Sequence, residues 1–354
     1  MKQPDDEKWM ALALEEGRKG LGLTSPNPAV GAVIVKNGQE LSRGWHHKAG
    51  QPHAEREALN QLDSEAAQGA TAYVTLEPCS TVGRTGACCI ALIEAGITRV
   101  VYGTRDPNPS HAGNADQLLK AAGVEVVSGV LEEECLHFIR GFAMTQTEGR
   151  PWVIAKTAMS LDGRITRPVD EGQWLTGAPA REEVQWLRRE VDAIITSGET
   201  VRADNPALTV RAPASDPNKE QPLRVILTHK DLDRSAYQVF LDEHRDRSLV
   251  FKNRELYDVL RTLTLEYGVC SVLLEAGGGL LGAFQDEGLI DEWVVFLAPL
   301  VTGGPTVSVA GEGTASLTQT TGLQRVKIHQ IGRDLCARGS VRRDGPRELE
   351  RGQD

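Results

Sequence analysis

Residues 77–88 read EPCSTVGRTGAC and are preceded, at residues 50–55, by GQPHAE. The hydrophobic pattern around them predicts a helix over 54–62, a strand over 72–76 and a helix over 86–95. His53 therefore falls just before one predicted helix, and Cys88 falls in the first turn of another. The positive end of a helix dipole favours a thiolate, so this placement suits metal binding or catalysis.

The residue types specify the metal. His53, Cys79 and Cys88 offer the nitrogen and thiolate ligands of Zn²⁺, and three protein ligands leave a fourth tetrahedral position for water. Glu55, two residues after His53, can transfer protons without binding the metal, as in the zinc-deaminase signature H-x-E followed by P-C and a later Cys. The alternative is a closed structural site with Cys89 as fourth ligand. Neighbouring residues usually face different sides of an element, so we expect Cys89 to pack in the core.

Outward from this region, strand and helix patterns alternate along the chain, which predicts an α/β fold in two domains. A helix is predicted over 5–19, and a buried strand over 29–35 is followed by a hairpin turn at 36–38. Residues 145–151, TQTEGRP, form a polar stretch with Gly and Pro, where we place the domain boundary. A second α/β series follows over 152–298.

Composition excludes several classes of protein. Hydrophobic residues make up 40% and charged residues 25%, the net charge is −10, and the pI is near 5.4. An acidic chain lacks the clustered cations that binding to a nucleic-acid backbone requires, so we expect no nucleic-acid partner. Met1–Trp9 has no apolar core and no run reaches bilayer length, so we expect a cytoplasmic protein without a membrane partner. Six cysteines do not make a disulfide framework in a chain of this length.

The first half also resembles a known family, the bifunctional riboflavin-biosynthesis deaminase–reductases. The motifs that carry the resemblance are PNPAVG at 26–31, GWH at 44–46, GQPHAE at 50–55, EPCSTVGRTGAC at 77–88 and DPNP at 106–109. The resemblance implies a cytidine-deaminase-like αβα domain over residues 1–146. It implies hydrolytic deamination, by zinc-activated water, of 2,5-diamino-6-(5-phosphoribosylamino)pyrimidin-4-one. The substrate contacts it implies are Asn27, His46, Arg84, Thr85, Asp106 and Asn108.

The second half resembles the reductase part of the same family. Its motifs are KTAMSLDG at 156–163, WLT at 174–176, SGETVRADNPALT at 197–209, EAGGG at 275–279 and Ala298-Pro299. The resemblance implies a dihydrofolate-reductase-like α/β domain over residues 150–345, which reduces the ribosyl group to ribityl with NADPH. The implied cofactor contacts are Ala158, Trp174, Thr200, Asp204, Gly277, Gly278 and Gly279. The implied substrate contacts are Lys156, Arg188, Leu208, Arg211 and Glu275. The chain departs from the family pattern at Thr81, Gly172, Thr228 and His229.

The glycine run has two interpretations on its own. Bare glycines between a strand and a helix let backbone N–H groups approach a pyrophosphate. A tight turn that needs φ > 0 would equally select glycine. Arg188 could likewise be a solvated helix residue, and Trp174 could be part of the core.

Three other functions remain open at this point. The second half could be inactive, or act on a different phosphoribosyl substrate, beside a working deaminase. The zinc could stabilise a binding module without turnover, or the site could deaminate a nucleic-acid base, which the acidic charge and the 5% aromatic content disfavour. The expected partner is a small phosphoribosyl pyrimidine, and a homo-oligomer is left open.

Overall fold

The computed structural model describes most of the chain and divides it into two compact units. The first unit comprises residues 1–150 and 264–270, and the second comprises 151–263 and 271–354. The described residues are 2–63, 65–80, 86–109, 111–165, 174–217, 219–315 and 320–342. Among these residues, no helix is long and apolar enough to cross a membrane.

A five-stranded sheet forms the centre of the first unit. In chain order its strands are β1 (Gly31–Lys36), β2 (Gln39–Trp45), β3 (Thr71–Leu76), β4 (Arg99–Thr104) and β5 (Glu125–Ser128). They lie side by side in the order β2-β1-β3-β4-β5, with β3, β4 and β5 parallel and β1 antiparallel to both neighbours. The predicted hairpin after β1 is confirmed, and its turn residues Asn37 and Gly38 have φ of 54° and 73°, as a type I′ turn requires.

Helices cover both faces of this sheet. They are α1 (Asp6–Gly17), α2 (Ala54–Asn60), α3 (Cys88–Glu94), α4 (Asn114–Ala121), α5 (Glu132–Phe138) and α6 (Arg140–Thr147). Successive strand residues point to opposite faces. Val33 therefore packs in one core with Met10 of α1, and Ile34 packs in the other with Leu92 of α3. The αβα layering predicted from the sequence is confirmed.

An eight-stranded sheet forms the centre of the second unit. Its strands are β6 (Trp152–Ser160), β7 (Ala193–Ser197), β8 (Leu223–Thr228), β9 (Ser248–Lys252), β10 (Ser271–Glu275), β11 (Glu292–Ala298), β12 (Leu323–Ile331) and β13 (Asp334–Val341). They lie in the order β12-β13-β11-β6-β10-β7-β8-β9. The six strands from β11 to β9 are mutually parallel, while β13 and β12 add an antiparallel edge.

Within the part of the chain that the structure describes, four α-helices accompany this sheet. They are α7 (Ala178–Glu190), α8 (Gly198–Asp204), α9 (Leu256–Tyr267) and α10 (Gly278–Asp286). Leu187 of α7 packs with Ile154, Ile194 and Phe296 of three different strands in one hydrophobic core. The α/β class predicted for this half is confirmed.

The elements that the sequence analysis did not predict are short or weakly patterned. Helix α8 has seven residues, and β12 is exposed along most of its length, so neither carries a clear apolar periodicity. Helix α6 continues to Thr147, inside the polar stretch expected to be a linker. Strand β13, which was not predicted, extends to Val341.

Candidate active sites

His53, Cys79 and Cys88 meet at one point of the first unit. Their ligand atoms all lie within 4.8 Å of one another. His53 Nδ1 is 3.5 Å from Cys79 Sγ and 3.3 Å from Cys88 Sγ. Bond lengths of about 2.0–2.1 Å for Zn–N and 2.3 Å for Zn–S at a tetrahedral angle give an N···S separation of about 3.6 Å. The three side chains therefore fit a single zinc ion.

Local structure explains why these atoms converge. His53 is the N-cap of α2, and Cys88 is the first residue of α3, as the sequence predicted. Cys79 follows the end of β3, and its sulfur accepts the backbone N–H of Cys88 at 3.2 Å. A hydrogen bond from the Cys88 thiol, together with those from His53 and the Cys88 N–H, lowers the pKa of Cys79 to about 4 against the opposing effect of burial. The site thus favours a thiolate before any metal is bound.

Glu55 lies in the first turn of α2 with 3% of its surface exposed. Burial and the neighbouring Cys79 raise the pKa of its carboxyl. The same carboxyl is hydrogen-bonded to Cys88, so it lies beside the ligand set. Cys89 is fully buried in the core, as expected, and does not belong to the cluster.

A cavity of about 640 Å³ opens onto these groups. Asn27 and His46, two of the expected substrate contacts, line it together with His53, Glu55 and Cys79. His46 Nδ1 is 3.0 Å from the carbonyl oxygen of Pro52, and His46 Nε2 is 3.1 Å from Asn27 Nδ2. The ring must therefore donate from Nδ1 and accept at Nε2, which fixes the Asn27 amide with its nitrogen on His46.

The wall opposite comes from the segment after β4. Asp106, another expected substrate contact, lines the cavity and accepts the Asn108 N–H at 2.9 Å. Asn108 itself is not among the described residues that line the cavity. Arg84 and Thr85, like Thr81, lie outside the described residues.

Two further residues that line the cavity were not predicted from the sequence as site residues. His111 lines the cavity with Nδ1 3.7 Å from Asp106 Oδ2, and Glu77 lines it with a side chain that is 5% exposed. Glu77 had been noted only as part of the EPC motif. No local pattern marks His111, because its position depends on the path of the chain after Pro109.

In the second unit, three expected substrate contacts form a buried charge cluster. Arg188 holds Glu275 with two hydrogen bonds, Nε to Oε1 at 2.6 Å and Nη2 to Oε2 at 3.0 Å. Lys156 Nζ lies 3.7 Å from Glu275 Oε2, because Lys156 and Glu275 are paired in the register of β6 and β10. Burial lowers the pKa of Lys156, whereas the two cations lower the pKa of Glu275 against the effect of burial.

This arrangement corrects one alternative for Arg188, which is buried and not a solvated helix residue. Its third nitrogen, Nη1, donates to the Thr209 carbonyl at 3.0 Å, so each of the three guanidinium nitrogens has an acceptor within the protein. Leu208, 3% exposed, has φ of 52°, a costly conformation for a branched side chain. That strained residue turns the backbone so that Thr209 presents its carbonyl to Arg188. Arg211, by contrast, is exposed, and its backbone N–H is held by Gln185.

The glycine run does not form a tight turn with left-handed backbone. None of Gly277, Gly278 and Gly279 has positive φ, so the tight-turn interpretation is wrong. Gly277 is the N-cap of α10. A Cβ on Gly277 or Gly279 would meet no described atom within 4 Å, whereas one on Gly278 would lie 2.4 Å from the Val307 carbonyl oxygen. Two of the glycines leave the helix start open to a ligand, and the third admits a neighbouring backbone.

The remaining expected cofactor contacts lie at the ends of elements or on the central strand. Ala158 is on β6 opposite Phe296 of β11. Thr200 is in α8, where its N–H is capped by Ser197 Oγ at 3.0 Å, and Asp204 ends that helix. Trp174 is 52% exposed, so the interpretation that it is a core residue is wrong. Gly172 lies outside the described residues.

Comparison with known sequence families matches the two halves of the chain to two different families. Residues 3–104 match the family described as the cytidine and deoxycytidylate deaminase zinc-binding region. Residues 151–337 match the family described as the RibD C-terminal domain.

Whole-length relatives extend the match. The chain is 38% identical to riboflavin biosynthesis protein RibD of Escherichia coli, over 94% of this chain and 98% of that protein. Among solved structures, Acinetobacter baumannii RibD superposes with a TM-score of 0.87 at 38% identity, covering 96% of this chain and 99% of the other. A Thermotoga maritima protein described as a diaminohydroxyphosphoribosylaminopyrimidine deaminase and 5-amino-6-(5-phosphoribosylamino)uracil reductase superposes with a TM-score of 0.84 at 33% identity, covering 95% and 99%. Because the similarity runs along nearly its whole length, the chain belongs to the RibD family of riboflavin biosynthesis proteins.

Proposed function

We propose that this protein performs two consecutive steps of riboflavin biosynthesis. Residues 1–146 deaminate 2,5-diamino-6-(5-phosphoribosylamino)pyrimidin-4-one by hydrolysis, which consumes water and releases ammonia. Residues 150–345 then reduce the ribosyl group of the product to ribityl with NADPH. The observation that carries the proposal is that His53, Cys79 and Cys88 meet at one point, and that His53, Cys79 and Glu55 line the same cavity.

The metal ligands of the first unit are His53, Cys79 and Cys88. Their nitrogen and two sulfurs suit zinc and lie at the separations that a tetrahedral ion requires. Zinc, when bound, supplies a Lewis acid that makes water a nucleophile near neutral pH.

Glu55 is the proton carrier of the deamination. It takes a proton from the attacking water and delivers it to the departing amino nitrogen. Glu55 lies in the first turn of α2, two residues from His53, and therefore beside the ligands. It is not itself one of the three residues of the ligand cluster. Its burial excludes the bulk water that would otherwise exchange this proton.

Asn27 and His46 read the pyrimidine. The His46 ring accepts from the Asn27 amide nitrogen, which leaves the Asn27 carbonyl oxygen to accept from a ring N–H or amino group. Asp106 and Asn108 contact the same substrate, to which a carboxylate and an amide offer hydrogen-bond acceptors. Arg84 and Thr85 bind the phosphate, since the planar guanidinium suits a phosphate monoester.

NADPH binds along the carboxyl ends of the parallel strands in the second unit. It contacts Ala158, Trp174, Thr200, Asp204 and the run Gly277–Gly279. The open faces of Gly277 and Gly279 at the N-terminus of α10 suit the close approach of a pyrophosphate. The cofactor, when bound, supplies the reducing equivalent.

The phosphoribosyl substrate of the reductase contacts Lys156, Arg188, Leu208, Arg211 and Glu275. Of the three cations in this set, Arg211 is the exposed one, and it binds the phosphate directly. Each guanidinium nitrogen of Arg188 donates a hydrogen bond to Glu275 or to the Thr209 carbonyl. The contribution of Arg188 is therefore to hold the Glu275 carboxylate in a fixed orientation. Lys156 lies beside that carboxylate and faces the reacting centre.

One experiment tests both steps. The zinc-loaded protein is incubated with the diaminopyrimidinone phosphate, with and without NADPH, and the products are identified by mass. We expect the deaminated ribosyl compound without NADPH and the ribityl compound with it. Ammonia release without any NADPH oxidation at 340 nm would support the alternative of a deaminase joined to an inactive or differently directed second half.

The variant Glu55→Gln provides the control for the first step. It retains the shape of the side chain and the three zinc ligands, so zinc content stays at the wild-type level while ammonia release is lost. An unchanged rate in this variant would contradict the assigned proton carrier. X-ray absorption that counts four protein ligands on zinc would instead support a structural site without turnover.

We also propose a cytoplasmic location. Six cysteines in a chain of this length are too few for a disulfide framework, which suits a reducing compartment.

A further inference from the structure

The buried carboxylate of Glu77 is hydrogen-bonded entirely to backbone. Its Oε2 accepts the N–H of Asp106 at 3.2 Å and that of Gly113 at 3.1 Å. Its Oε1 accepts the N–H of Ala115 at 3.2 Å. Three charge-assisted hydrogen bonds from one segment make Glu77 the anchor of the chain between β4 and α4.

This segment carries one wall of the cavity. Asp106 and His111 both line the cavity. The N–H of Asp106 is one of the groups bonded to Glu77, and His111 lies in the chain between Asp106 and Ala115, whose N–H is also bonded to Glu77. Strands β3 and β4 are parallel neighbours, with Leu76 opposite Thr104, so Glu77 and Asp106 emerge at the same edge of the sheet. The Glu77 N–H donates to the Thr104 carbonyl at 2.8 Å, which fixes Glu77 at that edge.

Glu77 also precedes Pro78 and the zinc ligand Cys79 in the chain. Its backbone therefore belongs to the turn that supplies Cys79, while its side chain holds the segment that carries Asp106. A single residue thus connects the turn of Cys79 with the Asp106 wall of the cavity.

We propose that Glu77 is a positioning residue for the deamination, which acts by holding Asp106 where it binds the substrate. The inference rests on the proposed function of the first unit. Glu77 does not touch the reacting atoms, and its contribution is the placement of the Asp106 carboxylate. Loss of that placement weakens substrate binding more than it slows the chemical step.

The chemistry of the side chain explains why a carboxylate is needed. Both oxygens accept, and one of them accepts two N–H groups. An amide at this position has one acceptor, so either orientation of Glu77→Gln turns its NH₂ group toward at least one backbone N–H. The donor–donor contact displaces the segment while the size of the side chain is unchanged.

The test is a double-mutant cycle in the zinc-loaded, full-length protein with the diaminopyrimidinone phosphate as substrate. Glu77→Gln and Asp106→Asn are each expected to raise KM by about tenfold, the scale of one lost charge-assisted hydrogen bond, with zinc content unchanged and kcat reduced far less. Because both act through the same contact, the double variant should be no worse than the worse single variant. Additive increases in KM, or a fall in kcat with KM unchanged, would overturn the proposal.

Asp6→Asn is the matched control. Asp6 is a buried carboxylate of the same unit, 1% exposed and bonded to Tyr73 and Arg99, and it does not line the cavity. It should lower thermal stability and leave KM unchanged, which separates a positioning effect from general destabilisation. If Glu77→Gln does not fold, Glu77→Asp, which keeps the charge but shortens the reach, is carried through the same cycle with the same criteria.

Hydrogen exchange provides a readout that does not depend on the substrate. In Glu77→Gln the amides of Asp106, Gly113 and Ala115 should exchange faster than in the wild type, while in Asp6→Asn they should not. Unchanged exchange would refute the anchoring itself. If these amides exchange faster in Glu77→Gln, but the wild type never releases ammonia from this substrate, the anchoring role stands. The proposed function is then refuted instead.

Discussion

Replacing Glu275 by Gln tests the charge cluster of the second unit. In the wild type the carboxylate pairs with Arg188 through two hydrogen bonds and lies 3.7 Å from Lys156 Nζ. The side chains of Arg188 and Glu275 are each 10% exposed, and that of Lys156 is 18% exposed. The substitution keeps the volume of the side chain but leaves two buried cations without their counter-charge.

The expected loss of stability follows from this burial. Removing one partner of a buried ion pair costs about 3–5 kcal/mol, because the remaining charge stays desolvated. For a unit of this size, that corresponds to a fall of roughly 10 °C in the midpoint of its unfolding transition. The exposed pair of Arg202 and Glu199 is the control, since Glu199→Gln breaks an ion pair that is already solvated and should leave the midpoint unchanged.

Scanning calorimetry of the full chain measures both variants, because it separates transitions that belong to different units. A loss of less than about 1 kcal/mol in Glu275→Gln would refute the view that the cluster behaves as a buried network.

The dependence on pH gives a second check of the same reasoning. The two cations hold the pKa of Glu275 below its ordinary value of 4.5, even though burial alone would raise it. A carboxyl with a lowered folded-state pKa stabilises the protein above the unfolded pKa, and this contribution is lost as pH falls through the folded-state pKa. The stability difference between the wild type and Glu275→Gln should therefore be constant near neutrality and shrink below pH 4.5.

Four further perturbations separate the roles of other features. Gly279→Val places a side chain in the open space at the start of α10 and should weaken NADPH binding about tenfold, measured by fluorescence titration, without loss of stability. Gly278→Ala instead collides with the Val307 carbonyl and should lower the unfolding midpoint, so equal effects of the two changes would contradict the assigned geometry. Hydrogen bonds from Ser160 and from backbone amides lower the pKa of Asp162 to about 2. In Asp162→Asn the hydrogen bond from the Thr302 N–H should weaken, which would be measured as faster hydrogen exchange of that amide. Removing zinc with a chelator should abolish ammonia release and leave NADPH oxidation by the deaminated intermediate intact; loss of both would contradict the independence of the two sites.

The zinc site could be predicted from the sequence because its geometry is local. His53 and Cys88 stand at the starts of helices, and Cys79 follows a strand, so three short signals fix three directions. The order H-x-E, P-C and Cys then limits the chemistry, even though eight residues separate the two cysteines. Cys89 could be assigned to the core for the same reason, since its neighbour in the chain, Cys88, belongs to the candidate ligand cluster.

Contacts that depend on strand order could not be predicted in this way. The side chain of Glu77 reaches amides that lie 29 to 38 residues further along the chain, and only the parallel pairing of β3 and β4 brings them together. The pairing of Lys156 with Glu275 likewise depends on the register of two strands that are far apart in sequence. The edge strand β12 was missed because its alternation of apolar and polar residues is short, and most of its residues are exposed.

In both units, the predicted functional residues gather at the carboxyl ends of parallel strands. Glu77 and Cys79 follow β3, and Asp106 follows β4. In the second unit Glu275 ends β10, and Ser197, which caps Thr200, ends β7. Parallel strands are joined by helices, so each strand end leads into a loop or a helix N-terminus, where backbone N–H groups are free for anions and thiolates. The two reactions differ in metal and cofactor, yet the same feature of parallel sheets accounts for where each site lies. That feature also explains why an edge-of-sheet residue such as Glu77, rather than a residue of the core, controls the spacing of the first site.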